Sequence, residues 1–253
     1  MPKNRVKIIS LVPSWTETFL ETSIQVVGRT RFCIHPEGLV KNIPIVGGTK
    51  NIDLKIIQEI NPNFIVLDQQ ENTKEMADQL IGMGFKLILT DVTDFDTLIR
   101  SCTKLGHSLQ APKLIEIAER FQRLAEIDST KFLKNIILKG STEEIQKSII
   151  AKDKFEYLIW KKPFMVVGKQ TFIAANLKLI GIHLAHDQKY PEIADLELKK
   201  AHCLFSSEPF PFSKDYNDLI QKGFRGVLVD AEKLSWFGIR NLKFLEASQK
   251  LDS

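Results

Sequence analysis

Two loops in the first half of the chain carry aromatic and cationic side chains that could bind a small ligand. Trp15 lies in residues 13–17, directly after the first predicted strand, and residues 29–36 after the second predicted strand contain Arg29, Arg31, Phe32 and His35. Arginine binds carboxylate and phosphate groups through a planar fork of N–H donors. These loops predict an anion-binding site, but core packing of the tryptophan and solvation of the arginines explain the same residues equally well.

The second half repeats this pattern. Residues 206–212 combine two prolines with two phenylalanines, and residues 235–238 contain Trp236 and Phe237, with Arg240 close behind. Prolines restrict the backbone, and loops held by a rigid scaffold are common places for ligand contacts. The pattern predicts an aromatic wall opposite Trp15 and Phe32, with packing between two lobes as the alternative.

Other candidate motifs are weaker. The glycine pair Gly47 and Gly48 belongs to neither a phosphate loop nor a dinucleotide fingerprint, so a plain turn is the favoured interpretation. His183 with His186, and Cys33 with residue 35, have spacings that occur in metal sites, yet neither pair has the third ligand that such a site needs. The usual hydrolase, protease, kinase and dinucleotide-binding signatures are missing from the sequence, which favours ligand binding over catalysis.

Strand and helix signals alternate over most of the chain; among them, the sequence predicts strands at residues 43–46 and 64–67 and helices at residues 54–60 and 240–251. The alternation predicts an α/β fold with an N-terminal α/β lobe at residues 1–105, a helical spacer at 106–154 and a C-terminal α/β lobe at 155–253. Ser14 with Glu17, and Ser141 with Glu144, have the spacing of a capping box and predict two helix starts. Ligands of parallel sheets bind beyond the carboxyl ends of the strands, so we expect a ligand in a cleft between the lobes.

Composition excludes several classes of protein. The 253 residues have a net charge of +4 with no run of basic side chains, which argues against nucleic-acid binding. No apolar run approaches the roughly 18 residues of a membrane span. Three widely spaced cysteines predict reduced, mostly buried thiols. The first residues lack a secretory signal, which predicts a cytoplasmic protein, or a periplasmic or cell-envelope protein if a leader was removed.

Several ordered motifs resemble a known family. Residues 8–18, 26–36, 46–54 and 60–66, followed by 160–163, 190–191, 206–212 and 235–236, are similar to segments of the periplasmic binding proteins with a helical backbone, which serve vitamin B12, haem and iron-siderophore transporters. The best match is to the cobalamin-binding-like members. The resemblance implies a fold like that of class III periplasmic binding proteins, with two Rossmann-like lobes joined by a long backbone helix.

The resemblance also implies roles for individual residues. Phe32 stands where the B12 binders have a pocket tyrosine, and Thr49 stands near the position of a pocket tryptophan. Trp236 matches a retained tryptophan, while Ser235 replaces the aspartate before it. Docking on the permease of an ABC transporter through one acidic residue on each lobe is also implied. Glu75 and Glu208 are the candidates for this role.

The sequence therefore predicts a substrate-binding protein that holds a metal chelate or corrinoid (cobalamin-like, haem or ferric siderophore) between its lobes for ABC-type uptake. No intrinsic cofactor is expected, since the corrinoid, haem or ferric chelate is the bound ligand. A cytoplasmic storage or sensing protein, an enzyme acting on a bound small molecule, and a regulatory partner of another macromolecule are the alternatives. The candidate ligand-binding residues are Trp15, Arg29, Arg31, Phe32, His35, Thr49, Lys50, Trp160, Lys162, Glu208, Trp236, Phe237 and Arg240.

Overall fold

A computed structural model of the chain describes residues 6–250 and divides them into two compact units. The first unit contains residues 6–123 and Phe237–Leu242, and the second contains Leu124–Trp236 and residues 243–250. Residues 1–5 and 251–253 of the predicted lobes lie outside the described residues. The division at residue 123 falls inside the predicted spacer at 106–154, so the helices of that segment are shared between the two units.

The first unit is built on a four-stranded parallel sheet with the strand order β2-β1-β3-β4. Its elements are β1 (Lys7–Ser10), α1 (Pro13–Glu21), β2 (Gln25–Arg29), α2 (Glu37–Val40), α3 (Leu54–Ile60), β3 (Phe64–Asp68), α4 (Lys74–Gly82), β4 (Leu87–Thr90), α5 (Phe95–Ser108) and α6 (Pro112–Gln122). Residues 43–46, predicted as a strand, form only a single parallel bridge between Ile45 and Arg29.

The core of the first unit explains why its central strands are continuous apolar runs. Ile9 and Leu11 from the β1 region pack with Ile65 and Leu67 from the β3 region, and all four side chains are buried. Strands of a parallel sheet have both faces covered by helices, so their side chains do not alternate between apolar and polar. This sheet fixes the positions of the loops that follow β1, β2 and β3.

The second unit contains a five-stranded mixed sheet with the order β5-β9-β8-β6-β7. Its elements are α7 (Ser129–Ile136), β5 (Ile137–Lys139), α8 (Thr142–Ile150), β6 (Phe155–Lys161), β7 (Phe164–Val166), α9 (Phe172–Lys178), α10 (Asp195–Leu198), β8 (His202–Ser206), a 3-10 turn (Phe212–Lys214), α11 (Tyr216–Gln221), β9 (Arg225–Val229) and α12 (Ala231–Ser235). The last helix, α13 (Ile239–Ala247), ends before the predicted end at residue 251, which lies outside the described residues.

The two outer strands of the second sheet run antiparallel to their neighbours, whereas β6, β8 and β9 are parallel. No strand was expected in residues 106–154, yet β5 lies there and pairs with β9. It has only three residues, of which Leu138 and Lys139 are exposed, and the short apolar run at residues 136–138 does not distinguish a strand from the end of a helix. Its strand conformation depends on pairing with residues about 90 positions later, which local patterns do not encode.

Two helix starts were predicted from capping boxes, and the structure has a serine cap at one of them. The Oγ of Ser141 accepts a hydrogen bond from the Glu144 N–H at the start of α8, as predicted. The predicted cap at Ser14 is wrong, because α1 begins at Pro13, one residue before Ser14, and has no side-chain cap. Proline needs no N–H partner at this position, so the helix start does not depend on the serine.

The helices of residues 106–154 are short. The resemblance implies one long helix here, but α6, the longest helix lying entirely within the described part of this segment, has 11 residues. The backbone N–H of Arg123 donates to the carbonyl oxygens of Glu119 and Arg120 in the last turn of α6, and the Asp128 side chain caps the start of α7. A C-terminal turn followed by a new N-cap separates two helices where one was expected.

Cys33, Cys102 and Cys203 are free and buried, which confirms the prediction of buried thiols. Burial raises the pKa of Cys102 and of Cys203 to about 12. Burial also raises the pKa of Cys33, although hydrogen bonds from Thr16 and Thr30 oppose this shift. Thiols of this kind remain protonated near neutral pH and are poor nucleophiles.

Candidate functional site

The first unit has an open groove of about 480 Å³ next to the carboxyl end of β2. It is lined by Arg31, Gly47, Asn51, Ile52, Asp53 and Leu54. These residues come from the loop after β2 and from the turn after the Ile45 bridge to Arg29. The groove therefore lies where ligands of parallel α/β sheets bind.

Residues 47–52 form a tight turn, which confirms the interpretation of the glycine pair as a turn. The Gly48 N–H donates to the Asn51 carbonyl oxygen at 2.6 Å, and Gly47 pairs with Ile52 in an antiparallel bridge. Gly47 has a φ of +127°, and a Cβ at this position would lie 2.5 Å from the Asn51 carbonyl oxygen. Only glycine fits here, because an added side chain would be strained and would collide with the backbone.

Arg31 is an exposed cation held in a defined position on this turn. One of its terminal nitrogens donates to the Asn51 side-chain oxygen at 3.1 Å, and its guanidinium carbon lies 5.5 Å from the centre of the Phe32 ring. A Cβ added to Gly48 would lie 2.9 Å from an Arg31 terminal nitrogen. The guanidinium packs on the glycine and has a neutral amide as its partner, so its charge is available to a ligand in the groove.

Four predicted ligand-binding residues are close in the sequence to the residues that line the groove, and they have different environments: Phe32, His35, Thr49 and Lys50. Phe32 is 51% exposed, which is unusual for a large apolar side chain, and Lys50 is also exposed. His35 is half-buried in the loop before α2. Thr49 is half-buried, and its carbonyl oxygen accepts a hydrogen bond from the Asn72 side chain at 2.8 Å.

The predictions for Trp15 and Phe237 need correction. Trp15 is fully buried and its Nε1 donates to the Thr90 hydroxyl at 2.9 Å. Its ring contacts Phe237 edge-on at 4.9 Å and stacks near Phe19 at 6.0 Å. Both predicted wall residues are therefore part of the core of the first unit, and neither offers a ring face to a ligand.

The predictions for Arg29 and Arg240 also need correction, because both side chains already have partners within the first unit. Arg29 is 8% exposed and donates to the carbonyl oxygens of Val40 at 3.0 Å and Thr30 at 3.2 Å. Arg240 makes a bidentate pair with the Glu17 carboxylate at 2.8 and 2.9 Å. These guanidinium groups stabilise the unit and do not face a ligand.

A buried acidic residue lies at the carboxyl end of β3. Burial raises the pKa of the Asp68 carboxyl, although hydrogen bonds from the Thr90 hydroxyl and from the N–H groups of Gln70 and Val92 lower it in part. The Asp68 N–H donates to the Asn72 side-chain oxygen at 2.9 Å. This network fixes the loop between β3 and α4.

The second unit presents exposed aromatic and cationic side chains at the carboxyl ends of β6 and β8. Trp160 is 43% exposed, and its ring meets the Phe210 ring edge-on at 5.8 Å. The Trp160 Nε1 donates to the Lys162 carbonyl oxygen at 3.2 Å, and the Lys162 side chain is exposed. Trp160 and Lys162, both predicted to bind the ligand, therefore lie together, and Phe210 packs beside Trp160.

Trp236 and Glu208 also meet in the second unit. The Trp236 Nε1 donates to Glu208 Oε1 at 3.2 Å. Trp236 is only 9% exposed, so its predicted role as an apolar wall needs correction. Glu208 is half-buried, whereas Glu75, the other acidic candidate for permease docking, is exposed in the first turn of α4.

Neither of the two weak candidate metal pairs belongs to a larger group of metal ligands in residues 6–250. The His186 Nε2 lies 3.0 Å from a carboxylate oxygen of the fully buried Glu156, and His183 is exposed. The Cys33 sulfur has the hydroxyl groups of Thr16 and Thr30 as its neighbours. Within residues 6–250, no group of three or more His, Cys, Asp and Glu side chains could hold a metal ion.

Sequence reasoning missed Asn51 and Asn72 as residues of the groove region. Asn51 lines the groove and holds the Arg31 guanidinium, and Asn72 binds the turn through the Thr49 carbonyl oxygen. Asn51 lies three residues after the glycine pair, in a segment that follows a predicted strand, and this position is the signal that could have identified it. Asn72 is 23 residues from its partner, and no local pattern predicts that contact.

Comparisons with solved structures identify the class of fold. The chain has the fold of class III periplasmic binding proteins, which confirms the predicted fold class. It is similar to a possible iron-binding, periplasmic solute-binding protein from Staphylococcus epidermidis, with a TM-score of 0.71 and 17% identity over 96% of this chain and 97% of the other. No family model and no curated protein sequence matches the chain.

Two further solved structures are similar to the chain. A periplasmic haem-binding protein from Pseudomonas aeruginosa has a TM-score of 0.69 and 18% identity over 98% of this chain and 95% of the other. The periplasmic vitamin B12-binding protein BtuF of Vibrio cholerae has a TM-score of 0.68 and 16% identity over 95% and 93%. Structural likeness at this identity establishes the fold, and ligand choice depends on the site. None of the helices in residues 6–250 is both long and apolar enough to cross a membrane.

Proposed function

We propose that this protein is a substrate-binding protein that holds a metal chelate or corrinoid for ABC-type uptake. The observation that carries the proposal is the groove at the carboxyl end of β2, where the exposed Arg31 lies beside Phe32 and is held by Asn51. A guanidinium with a neutral hydrogen-bond partner keeps its charge for an incoming anion. The fold supports the proposal, because the similar structures are described as binding proteins for vitamin B12, haem or iron chelates.

The chemistry of the groove favours a chelate that combines an anionic group with an apolar surface. Arg31 matches the geometry of a carboxylate or phosphate, and the Phe32 ring next to it offers an apolar face. Haem carries two propionate groups on an apolar ring, and a cobalamin carries a phosphodiester. Among the candidate ligands, these two fit the groove better than a cationic ferric hydroxamate.

The second unit supplies the same types of side chain. The exposed Trp160 ring packs edge-on against the half-buried Phe210 ring, and Lys162 beside them is cationic and exposed. Aromatic rings with an adjacent cation suit a ligand that has a large apolar body and a charged edge. We propose that this pair also contributes to binding.

Titration of the purified protein with haemin, cyanocobalamin and ferrioxamine B tests the proposal. Binding should change the tryptophan fluorescence, because Trp160 is partly exposed, and should raise the midpoint of thermal unfolding. At a ligand concentration one hundred times Kd, we expect a stabilisation of about 2.7 kcal/mol. Mass spectrometry of the ligand after incubation separates binding from turnover. The absence of both responses to all three compounds would refute the proposal.

Uptake also requires a partner and a compartment. We propose that the protein works in the periplasm or cell envelope and docks on an ABC permease through Glu75 and Glu208. Glu75 supports this role best, because it is exposed at the start of α4. A cysteine-directed cross-linker attached to the variant Lys74→Cys, which leaves Glu75 in place beside an exposed position, should capture a permease subunit in envelope membranes. Recovery of the protein only in the cytoplasmic fraction would contradict this part of the proposal.

A further inference from the structure

One side-chain amide in the first unit bridges three segments of backbone near the groove. The Asn72 Nδ2 group donates to the Thr49 carbonyl oxygen at 2.8 Å and to the Leu11 carbonyl oxygen at 3.2 Å, and its Oδ1 accepts from the Asp68 N–H at 2.9 Å. Leu11 follows β1, Asp68 ends β3, and Thr49 belongs to the turn that lines the groove. The amide therefore uses both of its donors and its acceptor on the backbone.

The bond to Thr49 ties the middle of the turn to the sheet, whereas Ile52 at the end of the turn packs against the core of the first unit. Within the turn, Gly48 bonds to Asn51, and the Arg31 N–H donates to the Gly47 carbonyl oxygen at 2.8 Å. The Asn72 amide joins the middle of the turn to the ends of two central strands. Removing it leaves the carbonyl oxygens of Thr49 and Leu11 without this donor, and a half-buried acceptor that loses its donor destabilises the local geometry.

We propose that Asn72 is a positioning residue of the groove, a proposal that rests on the proposed function for its link to ligand binding. Its amide holds the turn at residues 47–52 so that Asn51 can orient the Arg31 guanidinium toward the ligand. Asn72 does not line the groove and acts only through the turn. Its effect on binding should therefore depend on the charge of the ligand, because Arg31 is the group that it positions.

The variant Asn72→Leu tests this proposal, because leucine has a similar size and no hydrogen-bonding groups. Asn63→Ala is a matched control, since the Asn63 side chain accepts from the Lys7 N–H at 2.8 Å at the amino end of the same sheet, away from the groove. If Asn72→Leu does not fold, Asn72→Ser replaces it, because serine is small and keeps a polar group without reaching both carbonyl oxygens.

Amide hydrogen exchange in the ligand-free protein gives the first measurement. Loss of one anchoring hydrogen bond should accelerate exchange of the Gly48 and Arg31 amides by about five- to tenfold in Asn72→Leu. Exchange at these amides should be unchanged in Asn63→Ala. Unchanged exchange in Asn72→Leu would overturn the proposal, whatever the binding results are.

Binding gives the second measurement. In Asn72→Leu the Kd for haemin, which carries two carboxylates, should rise about fivefold, and the Kd for the cationic ferrioxamine B should change less. Equal losses for both probes, or no loss for haemin, would overturn the positioning role. If the wild-type protein binds none of haemin, cyanocobalamin and ferrioxamine B, the proposed function fails, and the exchange measurement still decides whether Asn72 fixes the turn.

Discussion

Replacement of Arg31 by alanine is the most direct test of the groove. The side chain makes one hydrogen bond to Asn51 and a cation–π contact with Phe32, and both lie at the surface. Exposed contacts of this kind contribute less than about 1 kcal/mol to the free energy of unfolding. We therefore expect Arg31→Ala to fold normally and to lose less than that amount of stability.

The effect of Arg31→Ala on binding should be larger than its effect on stability. A hydrogen bond between a guanidinium and a ligand carboxylate contributes about 1.5–3 kcal/mol. Because Arg31 is exposed, screening by solvent reduces this contribution, so we expect a loss of about 1.4 kcal/mol, or about a tenfold rise in the Kd for haemin. Arg31→Lys should lose part of this affinity, since lysine keeps the charge and lacks the planar fork.

Isothermal titration with haemin at two salt concentrations measures this prediction. The difference between wild type and Arg31→Ala should shrink at about 1 M salt, where charges are screened within roughly 3 Å. Arg123→Ala is the control, because Arg123 is also exposed in the first unit and pairs only loosely with Glu119, at 3.7 Å. Equal haemin affinity for wild type and Arg31→Ala, or equal losses in the two arginine variants, would refute the reasoning.

Three further predictions concern the groove and the core of the fold. Gly48→Ala should fold but raise the Kd for haemin, because the new Cβ displaces the Arg31 guanidinium, and an unchanged Kd would contradict the geometry. Glu17→Ala should lower the free energy of urea unfolding by about 3 kcal/mol, because the charge of Arg240 then lacks its nearly buried carboxylate. A loss no larger than that caused by breaking a surface ion pair would contradict this. Burial raises the pKa of the Cys102 thiol to about 12 from its ordinary value near 9. The contribution of the protonated thiol to the free energy of unfolding is therefore complete below pH 9 and is lost as the pH rises toward 12. Between about pH 8 and pH 10 the stability of wild type should fall by about 1.4 kcal/mol more than that of Cys102→Ala, and parallel curves would refute this.

The sequence predicted the order of strands and helices well, because most elements are specified by local signals. The helix at Leu54–Ile60 has the predicted bounds, and the strand at Phe64–Asp68 extends one residue beyond its predicted end. Alternating apolar runs, turn residues and N-caps act over a few positions and can be read directly. The strand at Ile137–Lys139 has too short an apolar run to be predicted, because its conformation depends on pairing with a strand about 90 residues later.

Side-chain roles were harder to predict, because burial depends on partners that lie far away in the sequence. The partner of Trp15 is Thr90, 75 positions later, and the partner of Glu17 is Arg240, 223 positions later. A tryptophan after a strand has the same local sequence whether it packs in a core or faces a ligand. Only the tertiary structure distinguishes these two environments.

Three arginines of the first unit were predicted to bind the ligand, and the differences among their partners support the groove as the binding site. Arg29 is bonded to main-chain carbonyl oxygens in the interior, and Arg240 is neutralised by a carboxylate. Each is thereby removed from ligand binding by a partner that the fold provides. Arg31 is held instead by the neutral amide of Asn51, next to an aromatic ring that is half exposed. An arrangement that fixes a cation without neutralising it contributes little to stability, and its simplest physical use is to bind an anionic group of a ligand.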